Sequence, residues 1–219
     1  MRLYSYFRSS ASFRVRIALA LKGLDHEYVA VHLPKNEHLQ AAYRATSEAQ
    51  LVPALVVDGG GQGGESLTLT QSLAIIEYLD ETHPEPPLMP SDAAGRARVR
   101  SLALDIACEI HPLNNLRVLR YLVKELGVTE NDKDRWYRHW VETGLEAVER
   151  QLAGDAATGR FCHGDRPTLA DCTLVPQIFN ARRLACRLDH VPTVMRVFDA
   201  CMALDAFAGS VPSACPDAE

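Results

Sequence analysis

The spacing of hydrophobic residues divides the chain into two parts with different predicted secondary structure. Over residues 1–83, short apolar runs typical of strands alternate with helical patterns, in the order strand, helix, strand, helix, strand, strand, helix. The first three elements require a helical crossover and therefore a parallel strand pair, whereas the last two strands form a hairpin. The pattern predicts a small mixed α/β sheet with helices on both sides.

Strand signals almost vanish after residue 83. Residues 84–90 contain four prolines and predict a linker, because proline stiffens the chain and stops a helix. Residues 91–219 carry helical periodicity and predict an all-helical second domain. The predicted helices cover residues 92–110, 112–126, 132–152, 168–184 and 192–204.

Three serines lie between the first predicted strand and its helix. Ser9, Ser10 and Ser12 bring hydroxyl groups to a helix start, where unpaired N–H groups and the helix dipole can bind an anion. A serine that only caps the helix is the ordinary alternative, and the spacing leaves both readings open. Ser72 is expected to cap the helix after the fourth strand, and Thr168–Asp171 has the arrangement of a capping box.

Composition and charge exclude several classes of function. The formal net charge of -5 does not favour binding to a nucleic-acid backbone. No apolar run approaches the roughly 20 residues of a membrane span, and the first residues do not resemble a signal peptide. The six cysteines form no Cys-x-x-Cys pair and no zinc spacing, so no metal site is expected. These features predict a cytoplasmic protein without nucleic-acid or membrane partners.

Five segments of the chain resemble the zeta class of glutathione transferases, the class of the maleylacetoacetate isomerases, which is similar to bacterial maleylpyruvate isomerases. The serine segment Tyr4–Gly23 reads YSYFRSSASFRVRIALALKG. The others are QLVPAL at 50–55, TQSLAIIEYL at 70–79, IHPLNNLRVL at 110–119, and TLADC at 168–172 followed by VPQ at 175–177. One position departs from the pattern, because Ala11 replaces the motif cysteine and puts in doubt any role for a protein thiol there.

The resemblance implies a thioredoxin-like domain followed by a helical domain, usually as a homodimer, with glutathione as the cofactor. It implies that Ser9 hydrogen-bonds the glutathione sulfur with Ser10 in support, since a thiol with a pKa of about 8.5 must become a thiolate at neutral pH. Arg8 and Arg183 are implied to bind the carboxylates of a dicarboxylate substrate, Arg8 also as a candidate catalytic residue. The residues implied to contact glutathione are His38, Val52 (before a cis bond to Pro53), Gln71, Ser72, His111, Asn115 and Arg117.

The activity implied by the resemblance is cis–trans isomerisation of a maleyl keto acid. Maleylacetoacetate is the first choice of substrate and maleylpyruvate the second. Glutathione is returned unchanged in this reaction, because its thiolate adds to the conjugated double bond and is later expelled. The alternatives are conjugation or dehalogenation by a zeta-type transferase, which consumes glutathione in conjugation, and a non-catalytic glutathione-binding module.

Overall fold

The computed structural model describes all 219 residues, and their packing divides them into two units. The first unit comprises Met1–Leu88 together with Leu204–Glu219, and the second comprises Met89–Ala203. This division differs in one main respect from the predicted domains, 1–83 and 91–219. Residues 204–219 pack with the first unit, although they follow the helical unit in the sequence.

A four-stranded mixed sheet with the strand order β2-β1-β3-β4 forms the centre of the first unit. The strands are β1 (Arg2–Ser5), β2 (Glu27–Ala30), β3 (Ala54–Val57) and β4 (Leu67–Thr70). β1 pairs parallel to β2 and antiparallel to β3, so that Leu3 lies opposite Tyr28 on one side and Leu55 on the other. β3 and β4 pair as the predicted hairpin. The mixed sheet is therefore confirmed.

The helices of the first unit are arranged around a buried first helix. They are α1 (Ser10–Leu21), α2 (Ala41–Arg44), α3 (Ser72–Thr82) and α10 (Asp205–Ala208). α1 packs against both α3 and α10. Its apolar residues Val15, Ile17 and Leu19 are completely buried. Gly23, with a φ of 63°, follows α1 in the left-handed conformation that commonly ends a helix.

A buried lysine connects the end of α1 to α3 and to the segment that follows α3. Lys22 Nζ donates to Asp80 Oδ1 at 2.9 Å, to the His83 carbonyl at 2.7 Å and to the Pro86 carbonyl at 2.9 Å. The three ammonium hydrogens all have partners, which offsets the cost of removing the charge from water. The proline-rich segment predicted as a linker is thereby held on the first unit as far as Leu88.

The second unit is entirely helical. Its α-helices are α4 (Ala93–Leu104), α5 (His111–Asn114), α6 (Leu116–Lys124), α7 (Glu130–Ala153), α8 (Leu169–Arg183) and α9 (Pro192–Met202). α8 is buried over most of its length and contacts α4, α7 and α9. The predicted capping box starts it, because Asp171 Oδ2 accepts from the Thr168 N–H at 2.8 Å.

Two predicted helices differ from the observed ones around Pro112. The helix predicted over 92–110 changes to π-helical geometry at Asp105–Ile110. This segment ends two residues before Pro112, which has no N–H to continue the regular hydrogen-bond ladder. The helix predicted over 112–126 is interrupted at Asn115, whose ψ of 144° is extended. The Asn115 side chain accepts from the backbone N–H two residues on at 3.0 Å and so begins a new helix.

All six cysteines are free, and several are deeply buried. Burial raises the pKa of the Cys186 thiol to about 11 and also raises the pKa values of Cys162 and Cys201 well above the ordinary value of a thiol. These thiols are therefore protonated near neutral pH and unreactive as nucleophiles. None of the helices is both long enough and apolar enough to cross a bilayer.

Candidate functional site

Ser9 both closes a turn and caps a helix. Its N–H donates to the Tyr6 carbonyl at 2.9 Å, which turns the chain from β1 into α1. Its Oγ accepts from the Ser12 N–H at 3.2 Å, so Ser9 is the N-cap of α1. This cap uses a lone pair of Oγ and not the hydroxyl hydrogen. Capping and anion binding, the two readings of the sequence, are therefore compatible in one residue.

The three serines differ in how far their side chains are exposed to solvent. Ser9 is half-buried, whereas Ser10 and Ser12 are only 5% and 0% exposed. Ser9 is the serine whose side chain a ligand can reach. Ser10 is the first residue of α1, where the unpaired N–H groups of a helix start favour negative charge.

Arg8 lies between a buried aromatic residue and the capping serine. Its guanidinium carbon is 4.9 Å from the centre of the Phe7 ring, a cation–π contact. Phe7 is buried and Arg8 is exposed, so the ring is a fixed support for a mobile charged side chain. The first unit thus brings a hydroxyl donor and a guanidinium together on consecutive residues.

The start of α3 differs from the prediction. Ser72 was expected to be the N-cap, but Gln71 occupies that position and Ser72 is the first helical residue. The prediction was wrong because the backbone enters the helix one residue earlier, with Gln71 as the last non-helical residue, while Ser72 Oγ accepts from the buried Arg14 side chain, at 3.2 Å from Nη1. This bond again uses a lone pair of the hydroxyl, so its hydrogen can still donate. Gln71 has an exposed side chain and a φ of 67° with a ψ of 112°.

The Val52–Pro53 bond is cis, as predicted. Leu51, the residue before Val52, is firmly held, because its carbonyl accepts from the Tyr43 hydroxyl at 2.6 Å and from the Ser47 hydroxyl at 3.3 Å. These bonds fix the backbone that leads into the implied glutathione contact at Val52.

His38 lies in a 3-10 turn that spans Glu37–Leu39, and its side chain is half-buried. The turn is fixed by Glu37, whose Oε2 accepts from the His32 N–H at 2.7 Å. His38 is therefore on an ordered part of the first unit and is accessible from solvent on one side.

The remaining predicted site residues lie in the second unit. Asn115 Nδ2 is 3.3 Å from His111 Nε2, so these two predicted residues are in contact. His111 directly follows the π-helical segment, a geometry that is frequent at functional sites. The Arg117 side chain is exposed, while its N–H forms the helix cap with Asn115.

Arg183 and its neighbour have different surroundings. The Arg182 guanidinium lies 4.4 Å from the centre of the Phe198 ring. Arg183 is exposed and lies beside the hydroxyl of Tyr137. Burial raises the pKa of Tyr137 to about 12, and the Arg183 guanidinium opposes that rise. Arg182 rests on an aromatic ring, as Arg8 does, so this contact does not decide between the two arginines, and Arg183 remains the one that the zeta-class resemblance implies.

Two buried arginines in α1 were not predicted to support the site. Arg14 binds Ser72, and Arg16 donates to the Ser5 hydroxyl, the Phe7 carbonyl and the Ser210 carbonyl. Their signal was present in the sequence, because RVRIALAL places two charges in an otherwise apolar stretch. A charge buried in a core requires fixed hydrogen-bond partners.

Comparison with known proteins gives the family. Residues 3–87 match the glutathione S-transferase N-terminal domain, and residues 134–212 match the glutathione S-transferase C-terminal domain. Maleylpyruvate isomerase from Ralstonia sp. is 50% identical over 99% of both chains. The solved holo structure of a maleylpyruvate isomerase, a bacterial zeta-class glutathione S-transferase, is 48% identical, covers 100% of both chains and has a TM-score of 0.93. The chain belongs to the zeta class of the glutathione S-transferases.

A second solved structure extends this family comparison to the maleylacetoacetate isomerases. The enzyme from Anaeromyxobacter dehalogenans, with bound dicarboxyethyl glutathione and citrate, is 47% identical with a TM-score of 0.88 and covers 100% of this chain and 97% of its own. Zeta-class membership confirms the resemblance that the five sequence segments carry. It also confirms the glutathione transferase fold, with a thioredoxin-like domain around the mixed sheet and a second, helical domain.

The positive φ of Gln71 should be measurable as backbone strain. A residue with a Cβ in this region is strained by about 1–3 kcal/mol, which glycine relieves. Gln71→Gly should therefore be more stable to urea than Gln71→Ala by about 1 kcal/mol, after the greater flexibility of glycine in the unfolded chain is included. The alanine variant is the matched control because both lose the same side chain. Equal stability of the two variants would show that the backbone is relaxed.

Proposed function

We propose that this protein is a glutathione-dependent cis–trans isomerase of maleyl keto acids, with maleylacetoacetate as its main substrate. The observation that carries the proposal is the state of Ser9, whose hydroxyl is accessible at a helix start and whose cap leaves its hydrogen able to donate. Relatives along the whole chain include maleylpyruvate and maleylacetoacetate isomerases, which supports the same activity.

Glutathione suits the groups that the first domain offers. Its γ-glutamyl carboxylate is matched by the start of α3, where backbone N–H groups, that of the buried Ser72 among them, can donate. Gln71 adds an exposed amide at the same place, the Val52 backbone pairs with the tripeptide, and His38 meets its glycine end. When bound, glutathione supplies a thiolate that adds reversibly to the substrate double bond and is returned unchanged.

Ser9 stabilises the thiolate by donating its hydroxyl hydrogen to the sulfur. The N-terminus of α1 adds to this effect because its partial positive charge favours an anion. A hydrogen bond to the charged form lowers a thiol pKa without a general base. Ser10 supports the same helix start from its buried position.

Two arginines bind the substrate carboxylates and stabilise the negative charge that develops on the keto acid. Arg8 acts from the turn beside Ser9, and Arg183 acts from the end of α8. His111, Asn115 and Arg117 complete the polar surroundings of glutathione. The enzyme acts in the cytoplasm as a homodimer, and its six free thiols suit a reducing compartment.

Maleylpyruvate is the second candidate substrate, because the Ralstonia enzyme at 50% identity is a maleylpyruvate isomerase. Both acids share the maleyl-keto group on which the chemistry takes place. The two candidates therefore require the same residues and differ in how well the rest of the substrate is accommodated.

A side-by-side assay of the two acids tests the proposed function. With glutathione present at one-hundredth of the substrate concentration, we expect complete conversion of maleylacetoacetate to the trans isomer, with a higher kcat/KM than for maleylpyruvate. Free thiol should stay constant throughout. A higher kcat/KM for maleylpyruvate would reverse the choice of substrate, and loss of thiol in step with product would indicate conjugation instead.

Substitution of Ser9 separates its two roles. Ser9→Ala and Ser9→Gly both remove the hydroxyl, and both should raise the pKa of bound glutathione by about 1–2 units, the value of a hydrogen bond to a charged group. Loss of the helix cap should lower the free energy of unfolding by about 1 kcal/mol in Ser9→Ala. In Ser9→Gly it should lower this free energy by only a few tenths of a kcal/mol, because glycine is tolerated at an N-cap. Thiolate absorbance near 240 nm against pH gives the first quantity and urea unfolding the second. An unchanged thiol pKa would refute the donor role.

Arg183 should bind substrate rather than glutathione. Arg183→Ala should raise the KM for the keto acid about ten-fold, the value of a charge-assisted hydrogen bond, with little change in glutathione affinity. Arg182→Ala is the matched control, because it removes the same exposed charge at the adjacent position, to which no substrate contact is assigned. Steady-state kinetics in both substrates give the comparison. Equal effects of Arg183→Ala on the keto acid and glutathione would rule out carboxylate binding.

A further inference from the structure

Both backbone polar groups of the residue before Arg8 and Ser9 are held by side chains. The Phe7 carbonyl accepts from Arg16 Nη2 at 3.2 Å, and the Phe7 N–H donates to Asp217 Oδ2 at 3.2 Å. β1 has already ended at this point, so these bonds replace those of a strand ladder. Phe7 is thus fixed by one residue of α1 and by one residue 210 positions away in the sequence.

Asp217 is itself held by the sheet. Its second oxygen, Oδ1, accepts from the Tyr28 hydroxyl at 2.6 Å. Tyr28 is on β2 and lies opposite Leu3 of β1. Burial, followed by the bond to Asp217, raises the pKa of Tyr28 well above its ordinary value, so the phenol remains a donor. One carboxylate therefore connects the rigid sheet to the turn.

The geometry points to Asp217 as a positioning residue that acts on Ser9 and Arg8 through Phe7. The turn that carries Ser9 is closed on Tyr6, the neighbour of Phe7, and the Arg8 guanidinium rests on the Phe7 ring. A shift of Phe7 consequently moves both groups. This inference rests on the proposed function, because it takes Ser9 to be the donor to the glutathione thiolate.

A carboxylate is well suited to this position. A hydrogen bond from an N–H to an ionised oxygen is about twice as strong as a neutral one. Arg16 contributes a favourable charge interaction with Asp217 from the buried side. If the acceptor is removed, a buried N–H loses its partner, and the turn must move to regain one from water.

Substitutions at Asp217 test the inference in the whole protein. Asp217→Ala removes both acceptors, and we expect the pKa of bound glutathione to rise by about half a unit and kcat to fall about ten-fold at saturating substrates, since small displacements are costly in catalysis. Asp217→Asn should keep the thiol pKa and kcat much nearer to wild type than Asp217→Ala does, with a small loss because its neutral oxygen accepts more weakly. Its amide oxygen can accept from Phe7 while its NH2 donates to the Tyr28 oxygen.

Glu219→Ala is the matched control within the same segment. Glu219 Oε1 lies 3.1 Å from His32 Nε2 and 3.5 Å from Lys35 Nζ, so its loss removes an acidic contact of the segment without removing an acceptor of Phe7. We expect its thiol pKa and kcat to equal those of wild type. If Glu219→Ala reproduces the effects of Asp217→Ala, the segment acts as a whole and the specific role of Asp217 is refuted.

The thiol pKa distinguishes positioning from a purely structural tie. A lower melting temperature for Asp217→Ala with an unchanged thiol pKa and kcat would overturn the inference. If Ser9→Ala raises the thiol pKa and Asp217→Ala does not, the inference fails and the proposed function stands. If Ser9→Ala also has no effect, both fail.

Tyr28→Phe provides the test if Asp217→Ala does not fold. This change removes the hydroxyl that orients Asp217 but leaves the bond from Phe7 to Asp217 in place. The thiol pKa should rise in the same direction by a smaller amount. No rise in a folded Tyr28→Phe protein would contradict the inference.

Discussion

The buried guanidinium of Arg16 is the contact on which the first unit depends. It donates to the Ser5 hydroxyl at the end of β1, to the Phe7 carbonyl and to the Ser210 carbonyl after α10. Phe7 lies in the turn Tyr6–Ser9, called the serine turn below. A charge in an apolar interior is unfavourable by several kcal/mol unless its donors are satisfied. The strand end, the serine turn and the segment 204–219 must therefore be in place together, because a shift of any one leaves part of the charge without a partner.

Ser9 and Ser72 use the same physical device at two helix starts. Each hydroxyl accepts a hydrogen bond from within the protein, Ser9 from Ser12 and Ser72 from Arg14. The internal donor fixes the oxygen in both residues, and in the half-buried Ser9 the hydrogen remains available for a ligand. Under the proposed function, these two helix N-termini, each with a positive partial charge, face two of the three anionic groups of glutathione, its thiolate and its γ-glutamyl carboxylate.

Local signals in the sequence predicted most of the fold, and the zeta-class motifs predicted the site residues. The mixed sheet followed from the pattern of apolar residues, whereas the cis Val52–Pro53 bond followed from the zeta-class resemblance. The prediction missed two local interruptions of helices, near Pro112 and at Asn115, and it also failed where residues distant in the sequence are in contact. Ser72 looked like a helix cap, but Arg14 binds it from another helix. No periodicity or motif in the sequence indicates the contact between Phe7 and Asp217, because these residues are 210 positions apart.

The first unit is discontinuous in the sequence, since the second unit is inserted between Leu88 and Leu204. This order has a consequence during synthesis, when domains fold as they leave the ribosome. A nascent chain that has emerged as far as Leu88 contains all four strands, but it lacks the Ser210 carbonyl that receives Arg16 and the carboxylate that receives the Phe7 N–H. The serine turn can reach its final form only after the second unit has been translated. The two contacts that hold it, Ser210 with Arg16 and Asp217 with Phe7, are therefore completed only after the whole helical unit has been synthesised.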